Sequence, residues 1–240
     1  MSRNKAGFLL IHGFTGTHYE MEPLAEYLRN KEFTVENIIL PGHETSEEDL
    51  ITKTWIDWIE FAQDELEKLK KSCEFVFVCG LSMGGVISLH LAKNNQDISG
   101  IISMATPYKS PDWRIHIFDV FPFVHYLYPK HKSKESGWED LEALESHRCY
   151  DNYPTKAAKQ VSRLFKSVKR DIPFIKIPIL IIQSKNDPTV PTEHPKWIFG
   201  NVASKDKKLI WIEKGGHVIP EDAGRFQLFE EVEKWIEERI

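Results

Sequence analysis

Short runs of apolar residues alternate along the chain with longer segments in which apolar residues recur at a helical period. The short runs predict strands at residues 8–11, 35–40, 75–79, 100–105, 177–183 and 208–213. Several of these runs are apolar throughout, which is typical of a sheet covered on both faces. Because they alternate with helical segments, the pattern predicts an α/β fold with a mostly parallel, doubly wound sheet.

The longer segments predict helices at residues 22–30, 55–71, 86–94, 155–170 and 225–240. In the second helix, Ile56, Ile59, Leu66 and Leu69 are expected to keep the helical period. In the fourth, apolar and basic side chains are expected on opposite faces. The apolar set is Val161, Leu164, Phe165 and Val168; the basic set is Lys156, Lys159, Arg163, Lys166 and Arg170. The basic face fits a solvated surface, an anionic-lipid patch or a substrate-steering patch.

One stretch, residues 108–171, interrupts the alternation because it contains no convincing strand. Aromatic residues are frequent in it, in particular Phe118, Phe121, Phe123, Tyr126 and Tyr128. A structureless loop of this length is improbable in a compact domain, so the stretch predicts an inserted helical subdomain. We therefore expect one domain over residues 1–240, with a small helical cap inserted at about 108–171.

Composition supports a single large domain and gives no indication of a nucleic-acid partner. The chain has 240 residues, of which 41% are hydrophobic, and this is enough to bury a sizeable core without a disulfide or metal. The net charge of -5 is mild and spread along the sequence, so nucleic acid is not an expected partner. The three cysteines, Cys73, Cys79 and Cys149, have no metal or redox spacing, and Cys79 is expected to be a buried small hydrophobe.

The amino-terminal segment does not have the features of a targeting sequence. Its apolar stretch AGFLLI is shorter than the roughly 7–15 residues of a secretory signal and than the ~20 residues of a membrane span. We therefore expect a cytoplasmic protein without stable membrane insertion.

The segment GLSMGG, residues 80–85, follows the predicted strand FVFVC and precedes a predicted helix. In the pattern G-x-S-x-G, a serine on a sharp, strained turn lifts its hydroxyl out of the sheet, and flanking glycines avoid clashes. Ser82 is therefore a candidate nucleophile, although a small-residue turn between strand and helix would read similarly.

A serine hydroxyl needs a base to take its proton, and the chain contains ten histidines. His217 follows the last predicted strand in the segment GGHVIP, and Asp187 follows the preceding strand in the segment SKNDPTVP. A carboxylate at Asp187 could hold the imidazole in the correct tautomer. The chain order Ser82, Asp187, His217 is the one expected of this class of site.

The segment HGFTG, residues 12–16, follows the first predicted strand and supplies the fourth expected element. The backbone N–H groups of Phe14 and Met83 would bind the oxyanion of a tetrahedral intermediate. His12 is expected to fasten this loop rather than to act as a second base. His43, in the segment LPGHETSEEDL, has either a structural or a substrate-facing role.

Together, the segments HGFTG, LPGH, GLSMGG, SKNDPTVP and GGH resemble the α/β-hydrolase superfamily over nearly the whole chain. Within it, the chain is similar to compact bacterial carboxylesterases and monoacylglycerol lipases. The resemblance implies Ser82 as nucleophile, His217 as base and acid, Asp187 as orienting carboxylate, and a cap over the site. Glu44 stands where the family usually has a small residue after PGH, and this leaves the substrate contact of that loop open.

The resulting functional expectation is a serine carboxylesterase that cleaves esters with an apolar, short to medium acyl chain through an acyl-enzyme. The alternatives are a monoacylglycerol lipase, amide, thioester or peroxidase-like chemistry on the same scaffold, and a non-catalytic binding module. No metal and no cofactor is expected. The expected partner is a small ester substrate, and the protein is expected to be a monomer or homodimer.

Overall fold

The computed structural model describes residues 3–110 and 137–240, together with the backbone of residues 130–131. Its strands are β1 (Ala6–Ile11), β2 (Thr34–Ile38), β3 (Phe75–Leu81), β4 (Gly100–Met104), β5 (Lys130–His131), β6 (Asn152–Tyr153), β7 (Ile179–Ser184) and β8 (Lys207–Ile212). Within the described part, six of them form one parallel sheet in the order β2-β1-β3-β4-β7-β8. The predicted α/β architecture and all its predicted strands are confirmed.

The helices are α1 (Glu22–Asn30), α2 (Glu47–Leu50), α3 (Trp55–Ser72), α4 (Met83–Asn94), α5 (Leu141–Ser146), α6 (Thr155–Asp171), α7 (Glu193–Asn201) and α8 (Arg225–Glu237). The predicted helices correspond to α1, α3, α4, α6 and α8. Helices α2 and α5 are too short for an apolar period to appear in the sequence. Helix α7 carries Pro195 in its first turn, where proline is tolerated but where the sequence pattern suggests a break.

Two hydrophobic cores lie on the two faces of the sheet, because successive side chains along a strand point to opposite faces. In β1, Phe8 and Leu10 belong to one core, and Leu9 and Ile11 belong to the other. Helices α1 and α8 cover the first face, and α3, α4 and α6 cover the second. This two-sided cover explains why the strands read as continuous apolar runs.

Two helical faces test the periodicity analysis further. Helix α3 buries Leu66 and Leu69 together with Trp58, but Ile56 is 47% exposed, so its expected place on the buried face was wrong. The reason is geometric: Ile56 lies 13 residues before Leu69, which is not a whole number of 3.6-residue turns. In α6 the predicted apolar set is buried as expected.

The insertion expected at 108–171 ends in elements that pack on the rest of the fold. Helix α6 contributes Leu164 and Val168 to the same core as α4 and thus covers the sheet as a crossover helix between β4 and β7. The antiparallel pair of β5 and β6 falls within the stretch where no strand was expected. The aromatic residues proposed for the cap wall, at 118, 121, 123, 126 and 128, lie outside the described residues.

The strand order determines where a ligand can bind. From β1 the chain moves to β2 on one side and later to β3 on the other, so the order reverses between β1 and β3. In doubly wound sheets, ligands bind at the carboxyl ends of the strands beside such a switch point. The loops after β1 and β3 carry HGFTG and Ser82.

Among the helices that the structure describes, none has the length and hydrophobicity of a membrane-spanning segment.

Candidate active site

Ser82 occupies the sharp turn between β3 and α4. Its φ of 53° and ψ of -112° lie in a region that side-chain-bearing residues rarely adopt. Its N–H donates to the carbonyl of Met104 at 2.8 Å, which fixes the turn to the end of β4. A Cβ built on Gly80 would lie 2.1 Å from the carbonyl oxygen of Gly84. The turn therefore closes only with glycine at position 80, as the G-x-S-x-G pattern requires.

The HGFTG loop lies directly against this turn. A Cβ on Gly84 would lie 2.1 Å from the carbonyl oxygen of Ile11, and a Cβ on Gly13 would lie 3.6 Å from the Cβ atom of Ser82. The loop after β1 thus passes over the first turn of α4 with only backbone between them. Met83 is the first residue of α4, so its N–H has no partner within the helix.

A buried carboxylate holds the HGFTG loop from below. Glu20 is 4% exposed, and its Oε2 accepts the N–H of Gly13 at 2.8 Å. A Cβ on Gly16 would lie about 2 Å from the same carboxylate, so the loop wraps closely around it. Phe14, between these two glycines, packs its ring near those of His43, Trp58 and Tyr153.

Asp187 follows β7, and its side chain is fully buried. Its Oδ1 accepts the N–H groups of Thr189 at 2.7 Å and Val190 at 3.0 Å, and its Oδ2 accepts the Nε2 of Gln183 at 2.8 Å. Burial by itself raises the pKa of Asp187, but the charge and hydrogen bond of His217, together with the two backbone donors, outweigh it. The pKa of Asp187 therefore lies below its ordinary value, and the carboxylate remains ionised.

His217 follows β8 and reaches the carboxylate across the sheet edge. Its Nδ1 lies 2.9 Å from Oδ2 of Asp187, while its side chain is 19% exposed. Since an ionised carboxylate only accepts hydrogen bonds, Nδ1 carries the proton and Nε2 is left as the acceptor. The structure thus brings two of the three predicted residues, Asp187 and His217, into hydrogen-bond contact.

The other two histidines considered in the sequence have structural surroundings. His12 is buried; its Nδ1 donates to the carbonyl of Gly13 at 2.8 Å, and its Nε2 accepts the N–H of Leu40 at 3.1 Å. Burial lowers the pKa of His12, so the ring is neutral and connects the HGFTG loop to Leu40 by hydrogen bonds, in the structural role that was expected. His43 is also buried, between His12 and Trp58, and its burial holds its pKa well below the ordinary range.

The stretch His147–Tyr150, which follows α5, connects three loops of the site. The N–H of Tyr150 donates to the carbonyl of Thr15 at 2.9 Å, and its hydroxyl donates to the carbonyl of Gly42 at 2.9 Å. His147 pairs with Glu221 at 2.6 Å, four residues beyond His217. Glu44, the unusual residue after PGH, accepts the N–H of His18 at 2.7 Å and so bridges two loops.

Sequence reasoning missed several residues that support this arrangement. Gln183 offered a signal, since it is a polar residue inside the apolar strand segment ILIIQ. Tyr150 and Asp222 offered none, because partners of each lie far away in sequence. Glu20 offered none either, because its bond to the N–H of Gly13 follows no periodic pattern. Among the described residues, no three of the types His, Cys, Asp and Glu come together as metal ligands.

Comparisons with known proteins show which family the chain belongs to. The chain is 33% identical over 217 residues to the thermostable monoacylglycerol lipase of Bacillus sp. (strain H-257), which covers 90% of this chain and 84% of that one. It is 30% identical over 230 residues to a carboxylesterase of Bacillus subtilis (strain 168), covering 95% and 91%.

Solved structures show the same fold. A structure from a study of LipS and LipT, two metagenome-derived lipolytic enzymes, matches with a TM-score of 0.84 at 25% identity, covering 98% of this chain and 94% of that one. The monoacylglycerol lipase of Paleococcus ferrophilus matches with a TM-score of 0.83 at 18% identity, covering 100% and 96%. The family model described as "Serine aminopeptidase, S33" matches residues 2–223. The chain therefore belongs to this S33 family of the α/β-hydrolase superfamily.

Proposed function

We propose that the protein is a carboxylesterase that cleaves esters with an apolar, short to medium acyl chain through an acyl-enzyme on Ser82. His217 acts as general base and then as general acid, and Asp187 orients it. The backbone N–H groups of Phe14 and Met83 form the oxyanion hole. The proposal includes a single domain whose small cap covers the acyl group, with α6 as part of the sheet cover rather than of the cap.

The observation that carries the proposal is the hydrogen bond between Asp187 and His217. A buried carboxylate held by Gln183 and two backbone N–H groups has one remaining strong donor, the Nδ1–H of His217. This arrangement fixes the neutral tautomer whose Nε2 accepts a proton. This tautomer supports the proposed role of His217 as the general base for Ser82.

The reaction follows from these roles in two halves. Oγ of Ser82 attacks the ester carbonyl carbon while its proton passes to Nε2 of His217, and the negative oxygen turns towards the N–H groups of Phe14 and Met83. The C–O bond to the alcohol then breaks, and the alcohol leaves with the proton from His217. In the second half, water gives a proton to His217 while its oxygen attacks the acyl carbonyl carbon. The C–O bond to Ser82 then breaks, Oγ takes the proton back from His217, and the acid is released.

The apolar acyl preference rests on the surroundings of the HGFTG loop. The Phe14 ring centroid lies 5.7 Å from that of Tyr153 and 6.3 Å from those of His43 and Trp58. Trp58 and His43 are buried behind Phe14, whereas Phe14 and Tyr153 are partly exposed and could contact an acyl chain, which gains about 0.8 kcal/mol for each buried CH₂ group. The names of the two Bacillus relatives support an ester substrate of this kind.

The second candidate is a monoacylglycerol lipase, favoured by the relative that shares 33% identity with this chain. The two functions share one mechanism and differ in acyl length and in the glycerol leaving group. The family description also names aminopeptidases, which cleave an amide with the same set of catalytic roles. A cytoplasmic location and a monomeric or homodimeric state remain predictions.

The test is turnover of p-nitrophenyl esters from acetate to palmitate, compared with a monoacylglycerol and an aminoacyl p-nitroanilide. Ser82→Ala is measured in parallel and is expected to lose several orders of magnitude in kcat. A serine-dependent rate that peaks at short or medium chains supports the carboxylesterase. A long-chain peak with faster glycerol-ester turnover favours the lipase, and turnover of the anilide alone contradicts ester hydrolysis.

A further inference from the structure

Asp222 is a buried carboxylate to which the proposed reaction gives no role. Its side chain lies between the loop that carries His217 and the part of the insertion that directly precedes α5, at Glu139 and Asp140. The residue is 1% exposed, and four backbone N–H groups donate to its two oxygens. A carboxylate with this many donors defines the position of each segment that supplies one.

One of the donors is adjacent to His217. Oδ2 of Asp222 accepts the N–H of Gly216 at 2.6 Å, and Gly216 is the residue before His217. The neighbouring Gly215 has a φ of 81°, and a Cβ there would lie 3.1 Å from the Asp222 side chain. The hydroxyl of Ser184, at the end of β7, donates to the carbonyl of Gly215 from the other side. The backbone before His217 is thus held between β7 and Asp222.

The other oxygen faces the inserted stretch. Oδ1 of Asp222 accepts the N–H of Asp140 at 2.8 Å, of Glu139 at 3.1 Å and of Ala223 at 2.7 Å. The side chain of Glu139 in turn accepts Nδ2 of Asn186, the residue before Asp187, at 2.8 Å. Arg225 adds a hydrogen bond to the Asp140 side chain at 2.6 Å. The same few residues therefore touch the histidine loop and the aspartate loop.

We propose that Asp222 is a positioning residue for His217. Asp222 sets the imidazole ring of His217 at the distance and angle that Ser82 and Asp187 require. The inference rests on the proposed function, because it assigns Asp222 to the support of that catalytic unit. Loss of positioning lowers the chemical rate strongly even when the fold is intact, since a displacement of about 1 Å can cost 10²-fold. If Asp222 were merely structural, its substitution would change the free energy of unfolding without changing the reaction rate of Ser82.

Asp222→Asn is the informative variant because the two oxygens share only one donor, the N–H of Glu139, which lies 3.1 Å from Oδ1 and 3.4 Å from Oδ2. An asparagine of the same size can keep its oxygen on the N–H groups of Asp140 and Ala223, and its NH₂ group then faces the N–H of Gly216. Two donors cannot bond to each other, so the contact beside His217 is lost while the contact with the insertion is kept. Asp222→Glu retains the charge and both acceptors, and partial recovery of the rate is expected.

Asp57→Asn is the matched control. Asp57 also accepts a backbone N–H, that of Thr54 at 2.6 Å in the capping box of α3, and belongs to no part of the proposed site. The control is expected to lower the thermal midpoint by a few degrees and to leave turnover and the pH profile unchanged. For Asp222→Asn we expect kcat to fall ten- to a hundredfold, with KM changed less than threefold.

The decisive readout is the reaction of Ser82 with a fluorophosphonate, which does not depend on the ester chosen. Oγ of Ser82 forms a bond to phosphorus and His217 takes the serine proton. The P–F bond breaks, and fluoride leaves with its electron pair. The rate is expected to fall in Asp222→Asn by the same factor as kcat. An unchanged rate in that variant overturns the positioning role alone, whereas a wild-type protein that does not react overturns the proposed function and the role that rests on it.

A measurement on the wild-type protein keeps the proposal falsifiable if neither Asp222 variant folds. The amide of Gly216 is expected to exchange with solvent much more slowly than that of an open loop residue, because Asp222 holds it. Exchange at the rate of an open loop would show that the contact does not persist and would overturn the proposal. Protection there, together with the loss of folding in both variants, would support Asp222 as the holder of this loop.

Discussion

At the residue scale, the backbone of Ser82 is strained, and the strain belongs to the site. A residue with a side chain at φ 53° and ψ -112° costs of order 1–3 kcal/mol, which the surrounding turn must offset. The cost arises at the Cβ atom and not at the hydroxyl. Alanine at this position therefore keeps the strain, whereas glycine releases it.

We expect the free energy of unfolding of Ser82→Gly to be about 1 kcal/mol higher than that of Ser82→Ala. Strain relief of 1–3 kcal/mol is partly cancelled because glycine loses up to about 1 kcal/mol more in conformational entropy on folding. Denaturant unfolding of the two variants measures the difference. Both are expected to be inactive, and equal stabilities would show that the turn carries no strain at this residue.

The acid limb of the activity profile reports the same site. Asp187 has a pKa below its ordinary value, so its orienting charge is present at every pH above that range and disappears only in strong acid. An imidazole titrates near pH 6.5, and a protonated one cannot accept the serine proton. We therefore expect kcat/KM to fall as the pH drops through roughly 6–7, in one step. A flat profile down to pH 5, with the protein still folded, would exclude His217 as the base.

At the scale of elements, the stretch after α5 is attached to the segment before α8 by a buried ion pair. His147 and Glu221 lie 2.6 Å apart, with side-chain exposures of 4% and 12%. Burial by itself lowers the pKa of His147, but its contacts with Cys149 and Glu221 and the nearby charge of Glu20 raise it to about 9. Burial raises the pKa of Glu221 in spite of the histidine, so the carboxylate is the partner that opposes pairing.

The pair makes stability depend on pH in a defined window. The pKa of His147 is higher in the folded protein than its ordinary value of 6.5, so its stabilising contribution is complete below pH 6.5 and is lost as the pH rises through about 9. We expect the free energy of unfolding of the wild type to fall by roughly 1–3 kcal/mol over that window, relative to His147→Gln. Unfolding in denaturant at several pH values measures this difference.

Glu213→Gln is the control for this experiment. Glu213 pairs with Lys185 at the surface, where both side chains are at least half exposed, and such pairs contribute little to stability. The control is expected to keep the pH dependence of the wild type, whereas Glu221→Gln is expected to flatten it. If Glu213→Gln and His147→Gln behaved alike, a general charge effect would explain the result better than the buried pair.

At the scale of the whole molecule, the sequence predicted the sheet because each strand is buried on both faces and its apolar run is uninterrupted. It also predicted that Asp187 and His217 meet, because parallel strands bring their carboxyl ends to one edge. It could not predict Asp222, whose partners at Glu139 and Asp140 precede it by more than 80 residues. Long-range hydrogen bonds of this kind leave no periodic pattern in the sequence. The helices α2 and α5 also leave none, because they are too short.

Helix α8 lies outside the family match, which ends at residue 223. Five of its side chains, Leu228, Phe229, Val232, Trp235 and Ile236, are buried against one face of the sheet. At about 1.5–3 kcal/mol each, their burial is comparable to the whole stability of a typical domain. Trp235 is 1% exposed, and its ring lies edge-on to Phe77 at 5.9 Å and above Gly100, where a Cβ would lie 2.6 Å from the indole.

We expect Trp235→Ala to lower the free energy of unfolding by about 3–5 kcal/mol, because it leaves a cavity between α8 and the sheet that glycine at position 100 cannot fill. Phe226, on the same helix but 66% exposed, is the matched control, and Phe226→Ala should change stability by no more than about 0.5 kcal/mol. Denaturant unfolding measures both, and kcat below the transition should match the wild type in each variant. Trp235 packs on Phe77 and Gly100 in the amino-terminal halves of β3 and β4, whereas Ser82 follows the carboxyl end of β3. Equal losses for the two variants would mean that α8 does not seal the core, and a loss of kcat in folded Trp235→Ala would mean that this face of the sheet is coupled to the site.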